Sequence, residues 1–412
     1  MPSPVNSYLW RTQERFRKMI SKKDTTSLLQ QLVEIQSPYF EEDRIMDFVK
    51  EWLLRQALPA EIREYHEDKI TDFHGKNVVL ELKGSGEGPV IHINGHLDTV
   101  NLCQGWTRNP EGEIIDDRLY GVGALDMKSG CAAAMIALKE FRKTHETFKG
   151  KIKASFVSVE EGPYGMGTNA LIESGFLDDV DFSVINEPSA GFNDKPFPDI
   201  CLGARGGYGL EVEFFGKAAH AATPELGISA AKDAAAVIRE LDNIVFQEDE
   251  HLGKGTCCVI AMEADGGACS VPDYAKIKLF RHTVRGEDES LILREIDEAV
   301  ARAGIRSKYR SSFRDAPSEG SRGFMPYTVS ADEPLVKRFI ESARSISGKE
   351  PSFSYFQSIG DFNYLGTRIG APALIFGAAG ENFHGKDEYA ELESVYQTAR
   401  ILYDFLVRVL VD

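Results

Sequence analysis

The sequence predicts an α/β protein: a mixed, mostly parallel sheet flanked by helices, with a small ferredoxin-like α+β domain inserted into it. Three observations predict this. Nearly all-apolar segments such as 89–94 alternate with segments of helical spacing such as 128–145, which is how strands buried on both faces read beside their covering helices. Between about Arg205 and Phe313 the order changes to β-α-β-β-α, with a final strand near Lys308–Phe313, the order of a ferredoxin-like sandwich. The chain has 412 residues, more than one ordinary core of ~100–200 residues. The expected division is 1–204 with 317–412 as one domain, and 205–316 as the other.

The elements follow in order. A helical pattern runs over 25–58, broken near Ser37-Pro38. Strands are expected at 76–82, 89–94, 151–159 and 181–186, and helices at 128–145 and 169–173. In the insert, 209–215 alternates like a strand, Ala230–Leu241 is helical, 256–262 and 275–282 are strands, and Glu289–Ala303 is a helix. Beyond it lie a helix at Pro334–Ser347, a strand at 371–376 and a helix at Leu392–Leu410. Gly206 and Gly207 mark a hinge or a tight packing point where the insert begins.

Composition narrows the function. The formal charge is −17, with 64 acids against 47 bases. Such a field repels polyanions, so no nucleic-acid partner is expected. No window approaches the ~18 apolar residues of a membrane span. Residues 1–23 scatter their apolar side chains among Arg, Lys and Gln, unlike a secretory signal. The cysteines Cys103, Cys131, Cys201, Cys257, Cys258 and Cys269 form no C-x-x-C pair. They read as free thiols of a cytoplasmic protein rather than disulfides or a zinc site.

Acids and histidines fall at strand ends. Segment 89–94 runs into Gly95-His96-Leu97-Asp98, and 118–124 leads to Leu125-Asp126-Met127-Lys128 before a helix. Segment 151–159 ends in Glu160-Glu161, 181–186 in Glu187-Pro188, and 371–376 leads through Gly-Ala-Ala-Gly to His384. Ligands of open α/β sheets bind outside the carboxyl ends of the strands. Histidine and carboxylate without cysteine suit zinc at a catalytic site, and cobalt or manganese as well. Two histidines and three carboxylates suffice for two ions ~3.5–4 Å apart, bridged by a carboxylate. His92, within an apolar strand, reads as a packed residue. His66, His74, His145 and His251 read as surface residues.

The motifs GHLDTV (95–100), GALDMKSG (123–130), EEGPYGMGT (160–168), NEPS (186–189), GKAAHAATPELG (216–227) and FHGKDE (383–388) occur in this order. With them the chain resembles metallopeptidase family M20, the group of acetylornithine deacetylase, succinyl-diaminopimelate desuccinylase, aminoacylase-1 and glutamate carboxypeptidases. The resemblance implies a zinc-peptidase-like fold whose insert serves as lid and dimer interface. It implies two divalent metals, most readily zinc, with His96 on one, His384 on the other, Asp126 bridging, and Glu161 and Glu187 completing the set. It further implies Asp98 orienting His96, Glu160 as general base, His220 reaching a partner subunit's site in a homodimer, and Arg281 binding a substrate carboxylate. Cys269 stands where the family often has Asn, and the family's acid before the lid arginine is replaced in Leu279-Phe280-Arg281-His282.

The implied activity is hydrolysis of an amide bond in a small N-acyl amino acid or short peptide, by a metal-activated water with Glu160 as base. The alternative is a catalytically inactive relative that binds small peptides or amino acids. A serine hydrolase is disfavoured, since no G-x-S-x-G occurs.

Overall fold

A computed structural model describes residues 20–412, so most of the leader reading lies outside the described residues. The chain divides into two compact units. One runs to Gly203 and resumes over Thr328–Phe356 and Gly360–Asp412; the other comprises Ala204–Tyr327 with Gln357–Ile359. The insert therefore ends at 327 rather than 316. The reason is Gly323–Phe324, which pairs antiparallel with Gly207 and Tyr208 and keeps the chain on the insert's sheet.

In the first unit we label β1 (Ala60–Glu67), β2 (Phe73–Lys83), β3 (Gly86–His96), β4 (Lys149–Val157), β5 (Phe182–Ile185) and β6 (Asp199–Ala204). After the insert comes the strand Ala373–Ile375, which joins the same sheet in the order β1-β2-β4-β3-β5, Ala373–Ile375, β6. The centre is parallel: β4 with β3, β3 with β5, and β5 with Ala373–Ile375. The flanks are antiparallel: β1 with β2, β2 with β4, and Ala373–Ile375 with β6. The sheet is mixed, and "mostly parallel" holds only of its centre. Burial explains the split. Phe182–Ile185 and Ala373–Ile375 are buried at every residue, whereas Ala60–Glu67 exposes several polar side chains; only strands covered on both faces read as continuous apolar runs.

Helices Lys22–Glu34, Ser129–Thr144, Pro334–Ser347 and Leu392–Leu410 pack on one another beside this sheet. Ser129–Thr144 is almost entirely buried along its Ala-rich length, which suits a helix enclosed by neighbours. His92 is fully buried, its ring nitrogens within hydrogen-bond distance of Ser183 (3.1 Å) and Ser155 (2.8 Å). Among the described residues no helix is long and apolar enough to cross a membrane.

The second unit has strands Gly206–Phe215, Thr256–Ala264, Tyr274–Thr283 and Lys308–Phe313, with helices Ala230–Leu241 and Glu289–Ala303. The chain order is β-α-β-β-α-β and all three pairings are antiparallel, the first strand lying between the third and the fourth. That is the ferredoxin-like arrangement. Its core joins Leu210, Val212 and Phe214 to Val237, Ile277, Leu279 and Ile296. Gly206 and Gly207 belong to its first strand. A Cβ on Gly206 would lie 2.4 Å from the Phe324 carbonyl oxygen, and one on Gly207 2.7 Å from the Phe280 ring. These glycines serve close packing.

Candidate active site

Three adjacent parallel strands deliver the site from one end. His96 is the last residue of β3. Glu160 and Glu161 follow β4, and Glu187 follows β5. Asp126 lies in the turn before helix Ser129–Thr144, where the Asp126-Met127 peptide is cis. That helix starts hard against the end of β5: a Cβ on Gly130 would lie 1.9 Å from the Asn186 carbonyl oxygen. Only glycine allows this approach, which explains the last residue of GALDMKSG.

The ring of His96 is buried, and its Nδ1 lies 2.9 Å from the backbone carbonyl of Asp98. A carbonyl can only accept, so Nδ1 carries a proton and Nε2 is the nitrogen turned towards the carboxylates. Nε2 lies 3.2 Å from Asp126 Oδ1 and 3.4 Å from Glu187 Oε1. On the other side, His384 Nε2 lies 2.8 Å from Glu161 Oε1 and 3.3 Å from Asp126 Oδ2. Asp126 thus offers one oxygen to each of two groups, His96/Asp126/Glu187 and Asp126/Glu161/His384. Within each group the ligand atoms lie within 4.8 Å of one another.

Charge in this cluster is unbalanced. Burial first, and then Asp126, hold Glu187 well above the ordinary carboxyl range and bring Glu161 to about 7. Burial raises Glu160 well above its usual value, with Asp361, Glu161 and Asp98 adding to the shift. Burial opposes the charge on His96, yet Glu187, Asp126, Asp98 and Glu160 hold its pKa well up; hydrogen bonds donated to Asp126 and Glu161 raise His384 to about 11. Asp126 is held low despite burial, by His384 and His96. Glu187 Oε2 is buried without a hydrogen-bond partner among the described residues. Buried like charges sharing protons, with an orphaned carboxylate oxygen, are the donor set of a cation site. The residues fit two divalent cations sharing Asp126.

The carboxylate of Asp98 has contacts beyond the imidazole. It accepts the backbone N–H groups of Glu160 (3.1 Å) and Glu161 (2.8 Å), while its Oδ1 stays 3.6 Å from His96 Nδ1. The residue's own carbonyl orients the imidazole, and its side chain fixes the loop carrying the two glutamates. Glu160 Oε1 accepts the Asp361 N–H at 3.0 Å, and Oε2 points towards His96 at 3.9 Å.

Three buried acids escaped the sequence reading. Glu388 accepts the N–H groups of Gly123, Leu125 and Asp126 at 2.9–3.0 Å, holding the Asp126 turn, and burial raises it to about 8. Glu42 accepts the N–H groups of Phe40 and Val159, and burial, then Asp98, raises it to about 8. Val159 needs that support, since a β-branched residue at φ 53° is strained. Asp361 accepts from Asn94 and Thr168 beside Glu160. Only Glu388, at the end of FHGKDE, had a motif that could have drawn attention to it.

The two insert residues fare differently. His220 is exposed, and its Nδ1 accepts the Ala222 N–H at 3.0 Å. Arg281 corrects an expectation. Its guanidinium is 1% exposed and held by Glu295 (2.9 Å) and Glu287 (2.6 Å), with the His282 carbonyl a further acceptor. Two carboxylates and a carbonyl saturate its fork of donors, leaving none for a substrate.

The sequence profile of Peptidase family M20/M25/M40 matches residues 92–408. The chain belongs to this family. As an M20 protein it is a metallohydrolase acting on amide or peptide bonds. Succinyl-diaminopimelate desuccinylase of Orientia tsutsugamushi (strain Boryong) is 23% identical over 399 residues, 94% of this chain and 97% of that one. A tripeptidase from Staphylococcus aureus shares the fold with a TM-score of 0.78 at 22% identity, over 95% of this chain and 99% of the other. A dinuclear metal-binding M20 peptidase from Bacillus subtilis does so with a TM-score of 0.72 at 16% identity, over 94% and 98%.

Proposed function

We propose that this M20 chain removes the acyl group from a small N-acyl amino acid, or cleaves a short peptide, using two zinc ions held by His96, Asp126, Glu161, Glu187 and His384. The observation that supports it is Asp126, one oxygen towards His96 and the other towards His384, with Glu160 alongside. The mixed nitrogen and oxygen donors favour zinc, with cobalt or manganese as substitutes. Bound there, the cations would supply Lewis acidity, polarising the scissile carbonyl and acidifying the attacking water.

The protein's own residues do the rest. Glu160 removes a proton from the water as its oxygen bonds to the carbonyl carbon, then delivers that proton to the amide nitrogen as the C–N bond breaks. Its contact with the Asp361 N–H holds the carboxylate in place between these transfers. The six free cysteines suit a reducing compartment, the cytoplasm.

The test is turnover of N-acetyl and N-succinyl amino acids, dipeptides and tripeptides by protein loaded with zinc, cobalt or manganese. Chelator-sensitive release of the free amino acid from an N-acyl substrate is expected. Cleavage of peptides alone would move the assignment to a peptidase. No turnover with any metal would leave the binding-protein reading.

We further propose a homodimer through the insert, with His220 stabilising the oxyanion in the site of the other subunit. Support comes from the edge strand Thr256–Ala264, which exposes Ile260 (59%) and Met262 (44%); an unpaired apolar edge invites a second strand. Mixing the inactive variants His220→Ala and Glu160→Gln is expected to restore activity, because one site of the mixed dimer holds both groups intact. A monomer in sedimentation, or no recovery after verified subunit exchange, overturns this.

A further inference from the structure

A second cluster of ligand-type side chains lies outside this site, on the hairpin of β1 and β2. His66 and His74 are directly opposed across the two strands. Their rings stack with centroids 3.8 Å apart and planes 7° apart. His66 Nε2 lies 2.8 Å from Asp72 Oδ1. One ligand atom from each of His66, Asp72 and His74 lies within 4.8 Å of the others. We propose that these three residues form a third divalent-cation site, taking an ion of the zinc, nickel or copper(II) class.

The three ligand atoms are near enough to share one ion once the rings turn. A tetrahedral cation with bonds of ~2.0–2.1 Å sets its ligand atoms ~3.3 Å apart. The rings stack with their planes nearly parallel, so their lone pairs run side by side, and binding turns each ring by tens of degrees about its side-chain bonds until both face the ion. Two imidazoles and one carboxylate select borderline ions over magnesium or calcium, which require oxygen donors. Three protein ligands at an exposed position leave the fourth to water, so the ion exchanges freely.

The scaffold is pre-formed. The turn between the two strands is held by the carboxylate of Glu67, which accepts the N–H groups of Lys69 (2.8 Å), Ile70 (3.0 Å) and Thr71 (2.6 Å) and the Thr71 hydroxyl (2.7 Å). These bonds place Asp72, in the left-handed region at φ 52°, beside His66. A turn fixed by its own buried acid does not have to be ordered by the ion, which lowers the cost of binding. The chain's charge of −17 adds a general attraction for cations.

The hairpin also braces the loop that carries Glu160 and Glu161. Tyr65 pairs with the Ser158 hydroxyl at 2.9 Å, and Asn77 holds the Ser158 N–H (3.1 Å) and the Gly167 carbonyl (2.9 Å). A cation clasping β1 to β2 therefore tightens a structural support of the active site without touching its ligands.

Equilibrium dialysis against zinc(II), with metal counted per chain by atomic emission, tests this. Wild type is expected to hold one more equivalent than His66→Gln or His74→Gln, and Asp72→Asn, which loses a ligand oxygen, to bind that equivalent at least about tenfold more weakly. Both histidines are exposed, so the metal-depleted variants are expected to melt as wild type does, which checks that the fold is kept. The difference of one must persist when Asp126→Asn is introduced into all of them, because it does not depend on the central site. Equal metal content in wild type and both histidine variants overturns the proposal.

Discussion

Glu160→Gln is expected to keep its full complement of metal and to lose turnover by about 10²–10⁴-fold. The amide retains the carboxylate's shape, so it can still accept the Asp361 N–H, but it cannot take up a proton. The residue is not among the five ligands expected for the two cations, and its nearest approach to His96 Nε2 is 3.9 Å. KM should move little, since the lost interaction belongs to the transition state rather than to substrate binding. Metal analysis beside steady-state kinetics reads both quantities. A variant with near-normal kcat would transfer the base role to another group, and one that loses metal would make Glu160 a ligand.

Asp126→Asn is expected to do the reverse and to have the larger effect. Its two oxygens face two different histidines, at 3.2 and 3.3 Å. An amide offers one oxygen and a nitrogen that donates, so one half of the pair loses its ligand. Changing a residue that merely orients a ligand costs about 10–100-fold in metal affinity, and the loss of a shared ligand should exceed that for both ions. Metal content in dialysed protein is expected to fall by at least one equivalent, with activity below that of Glu160→Gln. Retention of both ions after dialysis would show that Asp126 does not bridge. The two variants separate the chemistry from the holding of the cations, which a single inactive protein could not do.

What the sequence discloses depends on where each residue's partners lie. The helices Ala230–Leu241, Glu289–Ala303, Pro334–Ser347 and Leu392–Leu410 are read correctly to the residue, because their apolar spacing is a property of each segment alone. The ligands are legible because each follows an apolar strand. The strand Ala60–Glu67 was missed, since its alternation is half hidden by charged side chains on an antiparallel flank. Glu42 and Glu388 were missed as site residues because they accept backbone N–H groups, and Asp361 because its partners are distant side chains; neither arrangement has a sequence signature. The Asp361 N–H donates to a carboxylate 201 residues away, and the N–H groups that Glu388 accepts lie up to 265 residues away. Arg281 was misread for a related reason. The acids that neutralise it, Glu287 and Glu295, look in the sequence like ordinary solvated residues around a helix start.

The grip of Asp98 on two successive N–H groups has a consequence for how this protein can change. Glu160 and Glu161 are neighbours in the chain, yet one faces Asp361 and the other His384. Their identities are set only by which peptide each belongs to in that clamp. A single-residue deletion before them would shift the frame and bring Glu161 into the place of Glu160, with Gly162 where a carboxylate is needed. Length variation among descendants of this chain should therefore be purged from 157–161 far more strictly than substitution is, and should accumulate in segments whose peptides no buried acid counts.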